Sequence, residues 1–587
     1  MNFFIFIDFF NYRFQHPYII FLTLYHERGC SMTRYPNIMN RVVFFILLFF
    51  LCLYIVPLGI RPLAIPDEVR YAEIPREMMA SGDWIVPRLN GLLYFEKPVM
   101  GYWLNGLAMK LFGENAFSVR FSSALSAGLS ALMVFFLSSS FGKGNWKGEI
   151  AAGVYLTFLI VYGLGVYSLL DGMFSFFLTA CMGFFFLAWS YREHPPSYFL
   201  YLVLAGIFCG FAFLTKGFLA FAIPVSIIVP FLVWEKDYKR IFSMSWLPIL
   251  ISLIIILPWA VQIHLKAPDF WNFFFWHEHV KRFFDDNAQH KESFYFYFIV
   301  LSGALFPWTF FLPAAVAGLK TNGINTPFLR YAICWFVFPF LLFSFASGKL
   351  PTYILPCFPA LAILVSSGIM AYLNTKRTYW FDKGVVFLMG FIGILIITLI
   401  ILQTGLIELL SPFAYVALWK GILFLAALII FMTFLKMSLT TANHTKKILI
   451  LVVAPLFFYF SAHFLIPDKT ALRKCPGNLI QRNKKRVAKD TFIFSPSTPL
   501  RAVCWYLKRD DVFMLSRGEL NYGLKQKGSQ NRIIDYEQFF KMAQESSGTR
   551  KIAFIVNQRK YVRIKDRLPE PVFMDSSGND GFVFIIF

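Results

Sequence analysis

The chain alternates long apolar runs with short polar connections. Thirteen of these runs have roughly 17 to 25 residues, the length that a helix needs to cross a hydrocarbon core of about 30 Å. The pattern predicts a polytopic α-helical membrane protein with about 13 transmembrane helices. The runs lie at 42–60, 117–138, 149–168, 172–190, 198–215, 218–234, 243–262, 294–316, 327–346, 352–373, 384–404, 413–435 and 448–466.

The pattern changes after the last apolar run. Short apolar segments alternate with two amphipathic ones, which predicts a small α/β domain over residues 467–587. The transmembrane region then covers residues 42–466 and includes a polar loop at 61–116. We interpret residues 1–41 as an N-terminal leader. Because Met32 resembles a natural translation start, the leader is either an extension from a wrongly assigned start codon or a weak interfacial helix.

Positive charge is concentrated in the short loops on one side of the predicted spans. Such loops mark the cytoplasmic side of a membrane protein. The N-terminus is therefore expected in the cytoplasm and, after an odd number of spans, the C-terminal domain on the outer side of the membrane. The polar loop 61–116, a second loop at 263–293 and the C-terminal domain then share the outer side.

Composition narrows the choice of partners. The net charge is +22, and residues 467–587 hold 23 Lys/Arg against 12 Asp/Glu. Among apolar spans this favours anionic membrane lipids and speaks against nucleic acid, for which no binding module is present. The eight cysteines form no CxxC pair, which argues against a zinc ribbon or a disulfide scaffold.

The first outer loop holds the densest patterned charge. Asp67 begins a predicted helix, and Arg70 shares its face three residues later. Pro75 is expected to limit that helix to about two turns or to kink it. An Asp at a helix start is often an N-cap, but a second isolated carboxylate at the end of a span, Asp171, favours catalysis. We interpret residues 61–98 as the first half of an active site.

Several cations and one metal-ligand pair accompany these carboxylates. Lys97 suits a lipid phosphate, although it also fits a snorkelling interfacial lysine, as does Lys216. Lys349 lies in a turn bracketed by Gly and Pro, and the planar guanidinium of Arg282 matches phosphate. Glu96 and a histidine of the sequence WHEHVKRFF would form a zinc site if the fold brings them together, although the spacing is not HExxH.

Several ordered motifs resemble a known family. They are RPLAIPDEVRYAEIPREMMASGDWIVPRLNGLLYFEKP, GYWLNGLAMKLFG, FLTKG, EHVKRFF, FPWTFFLP, GKLPTYILPCFP and, in the C-terminal region, SRGELNYGL. Together they resemble the aminoarabinose lipid A transferases, members of the membrane-embedded GT-C glycosyltransferases that use polyprenyl-phosphate sugars. One departure is the sequence SLLDG, where the family leads us to expect Thr directly before Asp171.

The resemblance implies a reaction and a set of site residues. The reaction is transfer of 4-amino-4-deoxy-L-arabinose from undecaprenyl phosphate to lipid A on the periplasmic side of a bacterial inner membrane. This modification confers resistance to polymyxin and similar cationic peptides. Asp67 is implied as the principal catalytic carboxylate and Asp171 as the second. Lys97 and Arg282 would hold the carrier phosphate, and Glu96 and His279 would be the divalent-metal pair, with no cofactor otherwise required. The residues implied to line the cavity are Arg70, Tyr94, Lys216, Lys349 and Tyr353.

Two alternatives stay open at the level of sequence. The first keeps the fold but uses another polyprenyl-linked sugar, such as mannose or galactosamine, or a protein acceptor. The second is a lipid flippase or transporter. A transporter is expected to distribute charge over both faces and within the spans, whereas here the patterned charge is concentrated on one face.

Overall fold

Each predicted apolar run forms a helix or a pair of helices. The computed structural model describes residues 46–143, 146–281, 291–322, 324–403, 418–526, 528–545 and 551–587, so the leader 1–41 lies outside them. Within these ranges nine helices are long and apolar enough to cross a membrane, or up to 11 if each of two bent pairs is one span. The nine are Ala116–Phe141, Leu170–Ser190, Pro195–Lys216, Lys239–Lys266, Pro327–Phe345, Pro351–Asn374, Tyr379–Gln403, Leu418–Thr440 and His444–Ser461, and two shorter apolar helices are Ile46–Gly59 and Leu219–Trp234.

Two of the predicted spans are broken, and the breaks contact each other. One pair of helices bends by 69° and the other by 97°. The backbone N–H of Leu159 donates to Phe306 O at 2.9 Å. The Tyr459 hydroxyl donates to Thr157 O at 2.9 Å and lies 3.2 Å from Phe306 O. A break in an apolar span frees backbone polar groups that lipid cannot satisfy. Each break therefore satisfies part of the other, between Lys147–Thr157 and Leu159–Gly165 and between Phe296–Ala304 and Trp308–Thr321.

The predicted helix at Asp67 is longer than the sequence indicated. It runs from Asp67 to Ser81 and continues through Pro75, so the expected limit of two turns was wrong. Proline removes the N–H that would bond the carbonyl four residues earlier, here that of Tyr71. The Asn105 side chain, in the next helix Met100–Phe112, donates to this carbonyl at 3.0 Å. A tertiary contact thus replaces the missing helical hydrogen bond. We call Asp67–Ser81 the Asp67 helix.

A short hairpin connects the Asp67 helix to the C-terminal region. Strands β1 (Arg88–Leu89) and β2 (Leu92–Leu93) are joined by Asn90 and Gly91, whose φ values are +57° and +71°. Two positive φ values are typical of the Asn-Gly hairpin turn. The Asn90 side chain donates to Val512 O at 2.8 Å and accepts from Val512 N at 2.9 Å. This pair of hydrogen bonds attaches the turn to the C-terminal part of the chain.

The C-terminal region contains a five-stranded sheet. Its strands are β3 (Phe492–Ser495), β4 (Phe513–Met514), β5 (Ile552–Asn557), β6 (Phe573–Ser576) and β7 (Phe582–Ile586), and its helices include Ser497–Leu507, Tyr536–Glu545 and Gln558–Ile564. The strand order is β4-β3-β5-β7-β6. Strands β3 to β5 pair in parallel, while β7 runs antiparallel to both of its neighbours. The four strands that the sequence predicted are present, but β6 was missed because it is a half-exposed edge strand without a clear apolar run.

Candidate active site

Arg70 is the centre of the first half of the site. It projects from the first turn of the Asp67 helix, and one terminal nitrogen bonds Asp67 Oδ1. Its other terminal nitrogen donates to the Tyr94 hydroxyl at 3.1 Å and to Glu519 Oε2 at 2.7 Å, and lies 4.0 Å from Glu96 Oε2. Tyr94 donates in turn to Glu96 at 2.7 Å. The structure therefore brings the predicted residues Asp67, Arg70, Tyr94 and Glu96 into one network.

The carboxylates of this network lie on its open side. The Arg70 side chain is 11% exposed, whereas that of Asp67 is 32% exposed and that of Glu519 is 38% exposed. Burial works to raise the pKa of Glu519, but the charges of Arg70 and Arg501 outweigh it and lower that pKa below its ordinary value. Glu519 is thus held in ionised form where a substrate can reach it.

The second half of the site contains Asp171, near the start of the helix Leu170–Ser190. Lys216, at the end of Pro195–Lys216, pairs with Asp171 Oδ1 at 2.8 Å. The Lys216 ammonium also lies 4.7 Å from the centre of the Tyr353 ring. Three predicted site residues from distant parts of the sequence therefore form a second cluster. The ion pair neutralises a carboxylate that would otherwise be costly at the membrane edge.

Two other cations that the sequence analysis singled out, Lys97 and Lys349, both donate to backbone carbonyls. Lys97 Nζ donates to Glu96 O at 2.8 Å, which keeps it beside the first cluster. Lys349 is almost fully buried and donates to Glu292 O at 2.7 Å. Burial lowers the pKa of Lys349, because desolvation disfavours its charged form. The 348–353 turn also carries Tyr353, so Lys349 is adjacent to the second cluster along the chain.

Two predicted site residues lie wholly or partly outside the described part of the chain. Arg282 lies outside the described residues, and His279 belongs to the helical segment Asn272–Lys281 with a side chain that is outside the described part. The pairing of Glu96 with His279 around a metal therefore stays a prediction. Among the residues whose placement the structure describes, no three His, Cys, Asp or Glu side chains form a group suited to a metal ion.

Most of the charged residues in the 61–98 stretch lie outside the open network. Glu68, next to Asp67, is fully buried between Arg61 and Arg120. Glu73 accepts two hydrogen bonds of 2.7 Å from Arg76. Interpreting the whole stretch as active site was therefore wrong for these residues, because a charged group in a tight polar loop also satisfies backbone and ionic partners inside the protein. Glu77 belongs to the same class, since it accepts from the backbone of the hairpin turn.

Two site residues were missed by sequence reasoning. Glu519 joins the Arg70 network from the C-terminal region, and Arg501 donates to Glu519 Oε2 at 2.5 Å. Glu519 lies within the motif SRGELNYGL, which drew attention only as part of the family pattern. Its position on a polar loop far from the membrane spans gave no indication of its partner. Arg501 lies in the helix Ser497–Leu507, where most of its neighbours are apolar. An arginine among apolar residues is expected to need an anionic partner, and this signal was overlooked.

Comparison with known proteins agrees with this architecture. Residues 39–274 match the model of the dolichyl-phosphate-mannose-protein mannosyltransferase family, and residues 471–586 match the C-terminal domain of arabinosyl transferase ArnT. The undecaprenyl phosphate-α-4-amino-4-deoxy-L-arabinose arabinosyl transferase of Shewanella sediminis is 37% identical over 503 residues, which cover 84% of this chain and 88% of that protein. This chain belongs to that arabinosyl transferase family. The corresponding protein of Serratia proteamaculans is 36% identical, over 85% of this chain and 88% of its own length.

A solved structure has the same fold. ArnT from Cupriavidus metallidurans bound to undecaprenyl phosphate superposes with a TM-score of 0.77, at 21% identity, over 93% of this chain and 98% of its own. The predicted polytopic helical fold with a small C-terminal sheet domain is confirmed. Family membership also confirms the expected enzyme class, a lipid-carrier-dependent glycosyltransferase of a bacterial inner membrane. The assignment of individual site residues stays a prediction.

Proposed function

We propose that this chain transfers 4-amino-4-deoxy-L-arabinose from undecaprenyl phosphate to lipid A at the periplasmic face of the inner membrane. The observation that carries the proposal is the 37% identity to the Shewanella sediminis transferase along 84% of this chain. The cytoplasmic N-terminus and the periplasmic site and C-terminal domain follow from the basic loops. The modification adds positive charge to lipid A, which explains the expected resistance to cationic peptides such as polymyxin.

The proposed chemistry is a single displacement at the anomeric carbon. A phosphate oxygen of lipid A forms a bond to that carbon, and the bond from the carbon to the oxygen of undecaprenyl phosphate breaks with inversion. Undecaprenyl phosphate leaves with the bonding electron pair, so cations near its phosphate lower the barrier. Lys97, beside the first cluster, is suited to this role. Arg282 is proposed for the same phosphate.

Asp67 is the proposed catalytic carboxylate. A lipid A phosphate is already ionised near neutral pH, so the reaction does not depend on a strong base. The partly exposed carboxylate, oriented by Arg70, orients the acceptor or stabilises positive charge that develops on the sugar ring. If the acceptor were a hydroxyl, Asp67 would serve as the general base. Asp171, with its charge balanced by Lys216, is the proposed second carboxylate.

A divalent metal at Glu96 and His279 is a secondary proposal. Glu96, the residue of this pair whose side chain the structure describes, accepts a hydrogen bond from Tyr94 at 2.7 Å. Carboxylate and imidazole are suitable ligands for zinc, but no step of the proposed displacement passes through a metal. Metal analysis of the purified protein and of its Glu96→Gln variant would test the pair directly.

Mass spectrometry of lipid A tests the proposed function. The host is a bacterium that lacks its own transferase but makes the aminoarabinose carrier, complemented with this chain or with its Asp67→Ala variant. We expect the aminoarabinose mass shift with the wild-type chain and its loss with the variant at equal protein level.

Each outcome has a defined meaning. A shift with both chains would refute the role of Asp67 but keep the transferase. An absent shift with well-expressed wild-type chain would refute the aminoarabinose assignment. The next substrates to examine would then be mannose and galactosamine carriers, and after them a protein acceptor.

A further inference from the structure

The open side of the Arg70 network is more acidic than a site for two phosphate-bearing substrates requires. Asp67, Glu96 and Glu519 are 32%, 22% and 38% exposed, whereas Arg70 and Arg501 are 11% and 8% exposed. Three carboxylates thus face the opening, and the two guanidinium groups lie beneath them. The exposed side of the network therefore presents carboxylates rather than guanidinium groups, which favours contact with a cationic group of a ligand.

Glu519 has one carboxylate oxygen available to a ligand. Arg70 and Arg501 both donate to the same oxygen, Oε2, at 2.7 and 2.5 Å, and the Tyr94 hydroxyl lies 3.4 Å from it. In the part of the chain that the structure describes, Oε1 accepts no hydrogen bond from protein. The two buried arginines therefore hold Glu519 through one oxygen and leave the other for a ligand, on a side chain that is 38% exposed.

A buried hydroxyl beside the network points independently to a polar ligand. The Arg70 guanidinium lies 5.1 Å from the centre of the Tyr71 ring, and Tyr71 stacks on Tyr102 with ring centres 6.1 Å apart. Tyr102 is fully buried, and its hydroxyl has no hydrogen-bond partner among the described residues. A buried, unsatisfied hydroxyl costs free energy. A sugar hydroxyl entering next to Arg70 would satisfy it.

We infer that Glu519 binds the ammonium group of the transferred amino sugar and so determines the choice of sugar. This inference rests on the proposed function, which supplies the substrate. The 4-amino group is protonated near neutral pH and offers three N–H donors, as a lysine ammonium does. Glu519 Oε1 accepts one of them. The acidic opening then has a physical reason, since the amino sugar is the cationic part of two otherwise anionic lipids.

A comparison of two donors tests the inference. The purified chain would be given lipid A and undecaprenyl phosphate carrying either 4-amino-4-deoxy-L-arabinose or L-arabinose, which has a hydroxyl in place of the amine. The quantity measured is the ratio of kcat/KM for the two donors. In Glu519→Gln we expect this ratio to fall about 30-fold, or about 2 kcal/mol at 1.4 kcal/mol per factor of ten.

Two further variants separate this role from a structural one. Asp575→Asn removes a carboxylate that pairs with Arg482 at 2.7 Å in the same region, and it should leave the ratio unchanged. Glu519→Asp keeps the negative charge but moves the carboxylate back by the length of one methylene group. The ratio of kcat/KM should therefore fall by a smaller factor than in Glu519→Gln. If Glu519→Gln does not fold, the ratio in Glu519→Asp decides the question.

The outcomes distinguish the inference from the function on which it rests. An equal loss with both donors, or an unchanged ratio in the Glu519 variants, would overturn the inference and leave the proposed function intact. A wild-type chain that shows no preference between the donors would do the same. A wild-type chain that transfers neither sugar would refute the proposed function, and the inference would fail with it.

Discussion

Asp67 and Glu68 are adjacent carboxylates with opposite surroundings. Asp67 is 32% exposed and bonds Arg70, whereas the Glu68 side chain is fully buried and accepts six hydrogen bonds. Four of those come from Arg61 and Arg120, at 2.6 to 2.9 Å. The two residues begin the same helix and point in different directions from it.

The difference distinguishes a carboxylate that can face a substrate from one that stabilises the fold. Burial alone would raise the pKa of Glu68, but the two arginines overcome it and lower that pKa to about 2. Arg120 comes from a membrane span and also donates to the carbonyls of Leu58, Arg61 and Pro62. Glu68 therefore attaches the Asp67 helix to the transmembrane region, and this attachment positions Asp67 at the opening.

The largest expected effect is on catalysis at Asp67. In Asp67→Asn the shape is kept but the charge is lost, so we expect kcat to fall about 10²- to 10³-fold, the range for removal of one group that stabilises charge in the transition state. The measurement is transfer from a synthetic carrier-linked aminoarabinose to lipid A, with the melting temperature recorded in parallel.

Asp83→Asn is the matched control for Asp67. Asp83 lies in the same loop and pairs with Lys266 at 2.8 Å, outside the Arg70 network. We expect near-normal activity from this variant. Full activity in Asp67→Asn, or an equal loss in both variants, would contradict a catalytic role for Asp67.

Glu68→Gln should affect stability more than chemistry. Breaking a buried ion pair by removing one partner costs about 3–5 kcal/mol, because an uncompensated charge remains. Here two arginines would lose their anion. We expect a large decrease in the thermal stability of the detergent-solubilised protein. Glu114→Gln breaks a partly exposed pair with Lys508 and should cost at most about 1 kcal/mol.

The pH dependence of stability gives a second test of Glu68. The folded-state pKa is about 2 and the ordinary value is 4.5. The stabilisation is therefore complete above about pH 4.5 and is lost as the pH falls from there towards 2. Glu68→Gln has no proton to take up at this site, so its stability should depend less on pH in this window. Parallel curves for both proteins would show that Glu68 is not the group responsible.

The smallest expected effect concerns Asn105, which supports the Asp67 helix at Pro75. In Asn105→Ala the Tyr71 carbonyl loses its side-chain donor. An unsatisfied buried polar group costs about 1–3 kcal/mol. We expect a moderate decrease in stability, together with reduced activity, because Arg70 precedes Tyr71 in the helix. Asn325→Ala, at an exposed position, should change neither stability nor activity.

The membrane region and the site differ in how far the sequence predicts them. Apolar runs determine the spans, because a helix in lipid needs a fixed apolar length and internal backbone hydrogen bonds. Even Leu418–Thr440, which Lys420 interrupts, forms a helix, and Lys420 pairs with Asp468 at 2.5 Å. The breaks at Phe158 and Phe306 were not predicted, since their hydrogen bonds come from other spans.

The sequence by itself determined the spans, the C-terminal α/β region and the family, because apolar length, strand alternation and ordered motifs are local properties. It also identified Asp67, Arg70, Tyr94 and Glu96 as candidates. Only the tertiary structure separated Asp67 from Glu68 and brought Glu519 to Arg70 across 449 residues. The physical reason is that a carboxylate has the same chemistry at every position in the chain. Its burial and its cationic partners, which decide whether it supports the fold or faces a substrate, exist only after folding.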